Sequence, residues 1–423
     1  MSRTLPLLAL LACSPDKGDS SAARGDAPDT TTDSETTGTA VGWTYETAAT
    51  GAHGRYIADV GIAGYGDHNW LVWNDAAYDA NDARTVLLTA VGASRTITDF
   101  GWRIRTDSSP NPSVVTEAGS ASVFVGGLAT CDAAWKIPCP ADPSDRAFEV
   151  LVVDKATGAW TSEPVDTTWP TLDHGRGDLA IRDGQVDACF KARHPDPVAD
   201  EVTCNHRDAA GTWGAAVTVT GMDEGADDHA TVVLRPDQTR IAGYVSTVAG
   251  NERRAAVALG SASHRIFYDD GAFRKGEDTS VALDAASRVH AVWVEAEQEG
   301  GWKVQYARCD ADDGADGCAP AAAWTLTELA QGGDADSPDI TTHGTMPIAT
   351  WALDGRVQIG WICEDGSFTV EDVDPMPGDQ TTNRGQPSLR VDAGDDRLHV
   401  VYTLADEAGM HVRWAQRPLP ACP

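Results

Sequence analysis

One phrase recurs along most of the chain: a short run of alternating apolar and polar residues, a turn with glycine or aspartate, and a second run that ends in an aromatic residue. The clearest copies are residues 278–293 (DTSVALDAASRVHAVW) and 387–402 (PSLRVDAGDDRLHVVY). A period of two is typical of a strand with one face in a core, and two such runs around a tight turn predict a β-hairpin. The hairpins end at aromatic residues roughly 50 to 65 positions apart: Trp73, Phe124, Phe190, Tyr244, Trp293, Trp351 and Tyr402.

Two further strand-like segments follow each hairpin. Residues 303–308 (KVQYAR) and 411–416 (HVRWAQ) are examples of the third strand. An aromatic residue then opens a fourth: Trp102, Trp160, Trp213, Phe267, Trp324 and Phe368. Four strands in a repeat of this length are typical of a β-propeller blade. The sequence therefore predicts an all-β fold, a seven-bladed β-propeller of four-stranded antiparallel blades.

The blade count has alternatives. Because the first and fourth copies of the phrase are weak, rings of six or eight blades stay open. Two stacked β-sandwiches also use short strands, but they give no reason for one repeat to recur throughout the chain.

The last repeat lacks a fourth strand at its own end of the chain. Residues 42–47 (GWTYET) resemble the fourth strands that begin WTSE at Trp160 and WTLT at Trp324. We therefore expect residues 42–48 to complete the last blade, whose other three strands come from residues 386–417. Such a closure removes the exposed sheet edges that would invite aggregation.

The N-terminus resembles a lipoprotein export signal. Its apolar run, LPLLALLA, is shorter than the roughly 20 residues that span a bilayer and is typical of a signal peptide. Leu10-Leu11-Ala12-Cys13 resembles the bacterial lipobox, in which cleavage leaves the cysteine first and diacylglycerol is attached to its sulfur. An ordinary signal peptide with a chance cysteine is the alternative.

This resemblance divides the chain into three parts. Residues 1–12 are expected to be the signal peptide, and residues 13–40 the lipidated Cys13 and a flexible tether rich in Ser, Thr and Asp, which has too little apolar surface to fold. Residues 41–423 are expected to form the propeller. The resemblance implies a protein anchored by its lipid in the bacterial cell envelope, on the periplasmic or the cell-surface side.

Nine cysteines are present, and eight of them lie in the folded part. Proximity along the repeat suggests four disulfides, since neighbouring antiparallel strands can be cross-linked. Zinc binding is the alternative, but the chain has no Cys-x-x-Cys and carries an export signal. The expected pairs are Cys131 with Cys139, Cys189 with Cys204, Cys309 with Cys318, and Cys363 with Cys422.

The charge balance excludes one class of partner. The chain has 64 acidic and 32 basic residues and a formal net charge of −32. Such a surface repels phosphate backbones, so no nucleic-acid partner is expected. The expected partners are the membrane, through the N-terminal lipid, and an unidentified protein or glycan ligand.

A second resemblance concerns the turns before the fourth strands. Residues 208–213 (DAAGTW) resemble the Asp-box (BNR) hairpin of sialidase-like β-propellers, with His206 in place of the expected serine, and residues 154–160 form a copy one residue longer. In that family the aspartate caps the turn and the tryptophan packs between sheets, and neither is catalytic. The resemblance implies a propeller. The Arg-Ile-Pro signature of sialidases is missing, and residues 103–105 (RIR) are the nearest run.

No catalytic motif stands out. The chain has no Gly-x-Ser-x-Gly, no His-Glu-x-x-His and no phosphate-binding glycine loop. His290 and His399 occupy equivalent repeat positions, which favours a packing role. No cofactor is predicted and no metal ligand is assigned. Ca²⁺ binding stays open at three acidic loops, because hard cations bind several oxygens on one loop. These loops contain Asp75 with Asp79 and Asp82, residues 310–316, and Asp223 and Glu224 with Asp227 and Asp228.

Three hypotheses about function follow. The first is a non-enzymatic binding or scaffold module for a protein or glycan, because a strong structural repeat carries no catalytic motif. The alternative is an extracellular glycan hydrolase or lyase with its site in the propeller channel, which a converging cluster of Arg, Glu and Tyr would favour. The third is a calcium-stabilised surface protein. Small or apolar side chains along the channel would favour the first.

Overall fold

In a computed structural model the chain forms seven four-stranded antiparallel sheets, and the first strands of successive sheets contact one another in cyclic order. This arrangement is a seven-bladed β-propeller, which confirms the predicted fold. The structure describes residues 42–51, 55–77, 83–100, 112–130, 146–165, 174–195, 198–219, 225–248, 252–260, 263–267, 274–297, 300–310, 316–373, 383–392, 396–406 and 409–422.

The described residues form strands β1–β28, and their helical elements are two 3₁₀ turns, Asp316–Cys318 and Ala321–Ala323. Blade 1 consists of β2 (Arg55–Tyr65), β3 (His68–Ala77), β4 (Ala83–Val91) and β5 (Ser94–Asp99), and blade 2 of β6 (Ser113–Val115), β7 (Ser122–Thr130), β8 (Arg146–Asp154) and β9 (Trp160–Pro164). Blade 3 consists of β10 (His174–Arg182), β11 (Gln185–Pro195), β12 (Val198–Arg207) and β13 (Val217–Thr218). Blade 4 consists of β14 (Gly225–Leu234), β15 (Arg240–Val248), β16 (Glu252–Leu259) and β17 (Ser263–Ile266).

The other three blades complete the ring. Blade 5 consists of β18 (Arg274–Leu283), β19 (Val289–Glu297), β20 (Trp302–Cys309) and β21 (Trp324–Gly332). Blade 6 consists of β22 (Ala335–His343), β23 (Met346–Leu353), β24 (Arg356–Ile362) and β25 (Phe368–Asp372). Blade 7 consists of β26 (Asn383–Asp392), β27 (Arg397–Asp406) and β28 (Gly409–Pro418), followed outward by β1 (Thr44–Thr50).

The hydrophobic core lies between the blades. Because side chains alternate along a strand, each blade presents one apolar face to the preceding blade and one to the next. The described residues accordingly form seven buried apolar clusters, one at each blade interface. The aromatic residues that end the predicted hairpins all lie in these clusters or beside them and are all buried.

The ring closes where the sequence predicts it. Strand β1 pairs antiparallel with β28, so the N-terminal segment supplies the outermost strand of blade 7. Trp43, just before β1, is 2% exposed and donates its Nε1–H to Glu371 Oε1 of blade 6 at 2.9 Å. Arg417 of blade 7 bonds to the same carboxylate and lies over the Trp43 ring.

A similar contact recurs between blades 2 and 3. Arg207 of blade 3 binds Glu163 of blade 2 with two hydrogen bonds, of 2.8 and 2.9 Å, and Trp213 donates its Nε1–H to the same glutamate at 2.9 Å. Glu163 and Glu371 each lie three residues after the aromatic that opens a fourth strand. The periphery of the ring is therefore held by glutamates that receive an arginine and a tryptophan of the next blade.

Three of the expected disulfides are formed. Cys189–Cys204 joins facing residues of β11 and β12, Cys309–Cys318 holds the turn after β20, and Cys363–Cys422 ties the end of the chain to blade 6. The remaining cysteines, Cys13, Cys131 and Cys139, lie outside the described residues. Disulfides are typical of proteins in an oxidising, extracytoplasmic compartment. Within the described part of the chain, no helix is both long and apolar enough to cross a membrane.

Replacing Trp43 tests ring closure. We expect Trp43→Ala to lower the free energy of unfolding by about 3–5 kcal/mol, because it removes a large buried side chain. Phe368 opens the fourth strand of blade 6 but is 43% exposed, so Phe368→Ala is the matched control and should cost less than about 1 kcal/mol. Urea unfolding followed by tryptophan fluorescence measures both. Equal losses in the two variants would contradict closure by residues 42–48 in solution.

Candidate functional site

The first strand of each blade lies innermost and borders the ring axis. In six of the seven inner strands the pairing register shifts before the strand's midpoint, as at a β-bulge. At the equivalent position of three of them, Asp59, Asp278 and Ser337 have positive φ angles of 52°, 42° and 50°. A bulge changes the direction in which the following side chains point. Residues that follow the shift in these strands form hydrogen bonds with the neighbouring blades.

Each blade contributes one residue of its inner strand to a set that we call the axial ring. This residue lies two positions after the one that has the positive φ angle in blades 1, 5 and 6 and at the equivalent position of the other blades. Its members are small or polar: Gly61, Ser113, Asp178, Thr231, Ser280, Asp339 and Ser388. Blade 1 supplies the glycine. A Cβ there would come within 3.1 Å of the Pro112 carbonyl oxygen, so the neighbouring backbone leaves little room for a larger residue.

Asp178 joins three consecutive blades. Ser113 Oγ of blade 2 donates to Asp178 Oδ1 at 2.5 Å, and the Val232 N–H of blade 4 donates to Asp178 Oδ2 at 3.1 Å. Ser113 Oγ also accepts a hydrogen bond from the Leu179 N–H at 3.1 Å. One carboxylate in blade 3 therefore ties its blade to both neighbours.

Asp339 of blade 6 does the same on the other side of the ring. Ser280 Oγ of blade 5 donates to Asp339 Oδ1 at 3.2 Å, while Ser388 Oγ and the Leu389 N–H of blade 7 donate to Oδ2 at 3.0 and 2.9 Å. Thr231 Oγ1 of blade 4 donates to the carbonyl oxygen of Thr279 in blade 5 at 2.9 Å. Together these bonds link blades 2 to 7 in sequence along the axis.

The inner strands enclose a partly open axial cavity of about 280 Å³. All seven blades contribute to its lining, which consists of aspartates, serines, threonines, prolines, glycines and aliphatic residues. Among the described residues that line it, none is Arg, Lys, His, Glu or Tyr. Four aspartates are included: Asp59, Asp178, Asp278 and Asp339.

The ring environment changes the acidity of these carboxyl groups. Loss of solvation raises the pKa of Asp178 from 3.8 to about 6; the hydrogen bond from Ser113 partly opposes this rise, and the charge of Asp339 adds to it. Loss of solvation likewise raises the pKa of Asp339, against the bonds from Leu389 and Ser388. With a pKa of about 6, Asp178 is mostly ionised at pH 7 and gives the cavity a negative charge, and its oxygens can accept hydrogen bonds.

These groups favour some ligands and disfavour others. Carboxylates and hydroxyls accept hydrogen bonds from hydroxyl or ammonium groups. An anionic ligand would meet only negative charge among the described lining residues. No three His, Cys, Asp or Glu side chains of the described residues are gathered in a way that could hold a metal ion.

The structure describes only part of the acidic loops that are candidate Ca²⁺ sites. Asp310 forms an ion pair with Arg308 at 2.7 Å. Asp75 lies near the C-terminal end of β3, where it interacts with another group of the protein. The remaining candidates lie at positions whose side chains the structure does not describe: Asp79, Asp82, residues 311–316, Asp223, Glu224, Asp227 and Asp228. Calcium binding in these loops stays a prediction.

His290 and His399 are both buried. His290 Nδ1 lies 2.7 Å from Tyr306 Oη and its Nε2 lies 3.2 Å from Asp284 Oδ2. Trp414 Nε1 donates to His399 Nδ1 at 3.3 Å. Burial lowers the pKa of His290, so the ring is a neutral packing residue near pH 7. The equivalent repeat positions thus hold histidines that pair with an aromatic residue of the third strand.

The two turns that resemble Asp-boxes each place an aspartate over backbone N–H groups. Asp208 Oδ1 accepts the Thr212 N–H at 2.8 Å, and Asp154 Oδ1 accepts the Thr157 N–H at 2.8 Å. Their assignment to the Asp-box family stays a prediction. Residues 103–105 lie outside the described part of the chain.

Sequence reasoning missed the axial aspartates. Asp178 and Asp339 lie within the recognised hairpin phrase, at positions where other copies have serine or threonine. This variation between copies of the repeat was the signal that could have revealed the axial aspartates. Most copies have a serine or threonine at this position and two have an aspartate, which indicates one shared position whose side chain forms hydrogen bonds.

Comparison with known proteins supports the fold. No protein-family model matches the chain, and no curated protein sequence matches it. Similar solved structures include a polysaccharide lyase, with a TM-score of 0.53 and 10% identity over 89% of this chain and 91% of that chain. A protein of unknown function from Dyadobacter fermentans has a TM-score of 0.50 and 10% identity over 88% and 96% of the two chains. A sialidase of Streptococcus pneumoniae has a TM-score of 0.44 and 9% identity over 86% and 68%.

At 10% identity, the similarity to the polysaccharide lyase and to the Dyadobacter fermentans protein shows a shared fold and nothing finer. Together with the geometry of the axis, this fold defines the class of this protein: a seven-bladed β-propeller with an acidic axial cavity.

The raised pKa of Asp178 predicts a specific pH dependence. Because the native carboxyl has the higher pKa, the native state holds the proton more tightly than the unfolded chain does. The free energy of unfolding of the unmodified protein should therefore rise relative to that of Asp178→Asn as the pH falls from 7.5 to 5, by roughly 1 kcal/mol.

Urea unfolding of both proteins at the two pH values measures this difference. Asp365→Asn is the control, since the Ser367 hydrogen bonds lower the pKa of Asp365 and its carboxyl stays ionised through this range. A pH-independent difference between the unmodified protein and Asp178→Asn would contradict the prediction.

Proposed function

We propose that the protein is an extracytoplasmic β-propeller that recognises a glycan in its axial cavity. The observation that carries this proposal is the cavity lining, which is rich in carboxylate and hydroxyl oxygens and contains no basic residue among those described. Sugars present many O–H donors, and aspartate carboxylates accept them with strong, charge-assisted bonds. The volume of about 280 Å³ is close to the lower end of the range of small-molecule sites, about 300 Å³.

The sign of the charge narrows the glycan class. A carboxylated sugar would bring a second negative charge against the carboxylate of Asp178, so we expect uncharged or positively charged saccharides. The solved structure named as a polysaccharide lyase supports a glycan as the general ligand class of a similar fold. At 10% identity it does not specify the ligand of this chain, and the ligand proposal therefore depends on the cavity.

Glycan hydrolysis is the second candidate. It is favoured by one observation, the pKa of about 6 at Asp178 beside a second carboxylate in the same cavity, because glycosidases pair a protonated acid with an ionised carboxylate. Against it, both oxygens of Asp178 and of Asp339 already accept hydrogen bonds that join the blades. Binding is therefore the function that the described geometry supports best.

The binding proposal is tested by isothermal titration calorimetry of the purified protein with a panel of uncharged, anionic and amino-sugar oligosaccharides. Asp278→Asn should weaken binding of the best ligand, since Asp278 lines the cavity. Asp396→Asn is the matched control, because Asp396 also has a positive φ, of 51°, but is exposed in a turn of blade 7. Failure of every oligosaccharide to bind would contradict the proposal. New reducing ends after incubation would establish hydrolysis instead.

We propose further that the propeller is displayed on a lipid anchor at Cys13, with residues 13–40 as its tether. The support is the resemblance of Leu10-Leu11-Ala12-Cys13 to the lipobox and the three disulfides, which fit an extracytoplasmic location.

Cys13→Ser should abolish incorporation of an alkyne-labelled fatty acid and release the protein from the membrane fraction of a bacterial host. Cys131→Ser is the control and should keep the label. Labelling of the Cys13→Ser variant would contradict the anchor.

A further inference from the structure

We infer that the Cys363–Cys422 disulfide is a site of thiol–disulfide exchange, at which a dithiol oxidoreductase opens and closes a covalent link across the boundary where the ring closes. Neither cysteine lines the axial cavity, so the site is separate from the proposed glycan recognition. The three disulfides of the described residues differ in exposure. Cys422 is exposed and Cys363 is 6% exposed, whereas the four cysteines of the other two pairs are at most 1% exposed.

Exposure decides which of these disulfides can react in the native protein. Exchange begins when a thiolate attacks a disulfide sulfur, so it depends on access to that sulfur, and exposed disulfides are the labile ones. Cys189 and Cys204 lie in the apolar cluster between blades 3 and 4. Cys309 and Cys318 lie in the cluster between blades 4 and 5. Cys422 instead lies in an exposed segment after β28, where an incoming thiolate can reach it.

The reaction is a balanced two-electron transfer. A thiolate of the dithiol attacks Sγ of Cys422, a mixed disulfide forms, and Cys363 leaves as a thiolate that takes up a proton. The second thiol of the same reductant then attacks its own sulfur in the mixed disulfide and releases Cys422 as a thiol. The protein gains two electrons and two protons, and the dithiol becomes a disulfide. The reverse steps form the link again.

The segment that carries Cys422 has few other attachments to blade 6. Residues 419–422 are in no helix or strand. The Leu419 N–H donates to the Asp396 carbonyl oxygen at 2.9 Å, and Leu419 packs against the apolar cluster between blades 6 and 7. Residues 421 and 422 are exposed, and Cys422 Sγ lies 3.6 Å from Met346 Sδ. The disulfide is therefore the strong attachment of this segment to blade 6.

The same bond spans the boundary at which the ring closes. Cys363 and Cys422 are 59 positions apart, and the strands between them are β25 of blade 6 and β26, β27 and β28 of blade 7. A cross-link over such a loop restricts the opened chain much more than the folded one. Once the bond is reduced, noncovalent contacts such as those of Trp43 and Arg417 with Glu371 must hold the boundary. The redox state of one bond thus sets how readily blade 7 and its outer strand β1 open.

The first experiment measures which disulfide opens in the native protein. The full chain is incubated with a thioredoxin-class dithiol protein or with dithiothreitol, free thiols are alkylated at successive times, and peptide mass spectrometry assigns the label to each cysteine. Cys363 and Cys422 should be labelled at least about tenfold faster than the cysteines of the two buried pairs, with either reductant.

The second experiment measures the closure by hydrogen exchange, before and after selective reduction and alkylation of Cys363 and Cys422. Amides of β1 and β28 should exchange about tenfold faster in the reduced protein, while those of β19 in blade 5 keep their rate. The double variant Cys363→Ser/Cys422→Ser should behave as the reduced protein does. Cys309→Ser/Cys318→Ser is the matched control, because it removes a disulfide of blade 5 and should leave exchange in β1 unchanged.

Each step has its own contradicting result. Labelling of all three pairs at one rate, or of none of them before denaturant is added, would overturn the exchange site. Opening by dithiothreitol but not by the dithiol protein would overturn an oxidoreductase as the partner. Selective opening with unchanged exchange in β1 and β28 would overturn the coupling between this bond and ring closure.

Discussion

The hydrogen bonds of Asp178 and Asp339 are the constraint on which the architecture of the axis depends. Each carboxylate accepts donors from the blade before it and the blade after it, so two side chains fix the spacing of six of the seven inner strands. Inner strands have no strand partner on the axial side, because each is the first strand of its sheet. Side-chain acceptors that reach across blade boundaries take the place of strand pairing there.

The periphery is held by a different chemistry. There the apolar clusters between blades supply most of the contact, and the glutamates that follow the fourth-strand aromatics orient an arginine and a tryptophan of the next blade. Glu46 extends this pattern to the closure, since it binds Arg95 of blade 1 with bonds of 3.1 and 3.0 Å. The N-terminal strand is thus joined to both of its neighbours, by Trp43 to blade 6 and by Glu46 to blade 1.

Much of this fold could be predicted because its determinants are local in sequence. Period-two alternation and a closing aromatic define each hairpin, and the similarity of residues 42–47 to other fourth strands predicts the closure. Cys189 and Cys204 could be paired because they face each other on adjacent strands.

The axial site could not be predicted in the same way. The serine that binds Asp178 is 65 positions away in sequence, and the bulges that aim the aspartates at the axis are invisible in the hydrophobic pattern. Gly-Asp-Leu and Pro-Asp-Ile also resemble ordinary turn sequences when they are considered alone. Contacts made between repeats need the ring to be assembled before their partners can be recognised.

The negative charge of Asp178 is not required for the hydrogen bonds that join the blades. A neutral amide at position 178 would offer one oxygen to the Val232 N–H and one N–H to Ser113 Oγ, and it would avoid the loss of solvation that raises the pKa of Asp178. Negative charge is therefore not needed for the ring to hold together, and it costs stability at neutral pH. The proposed recognition of a hydroxyl-rich ligand gives this costly carboxylate a role that the joining of blades does not require.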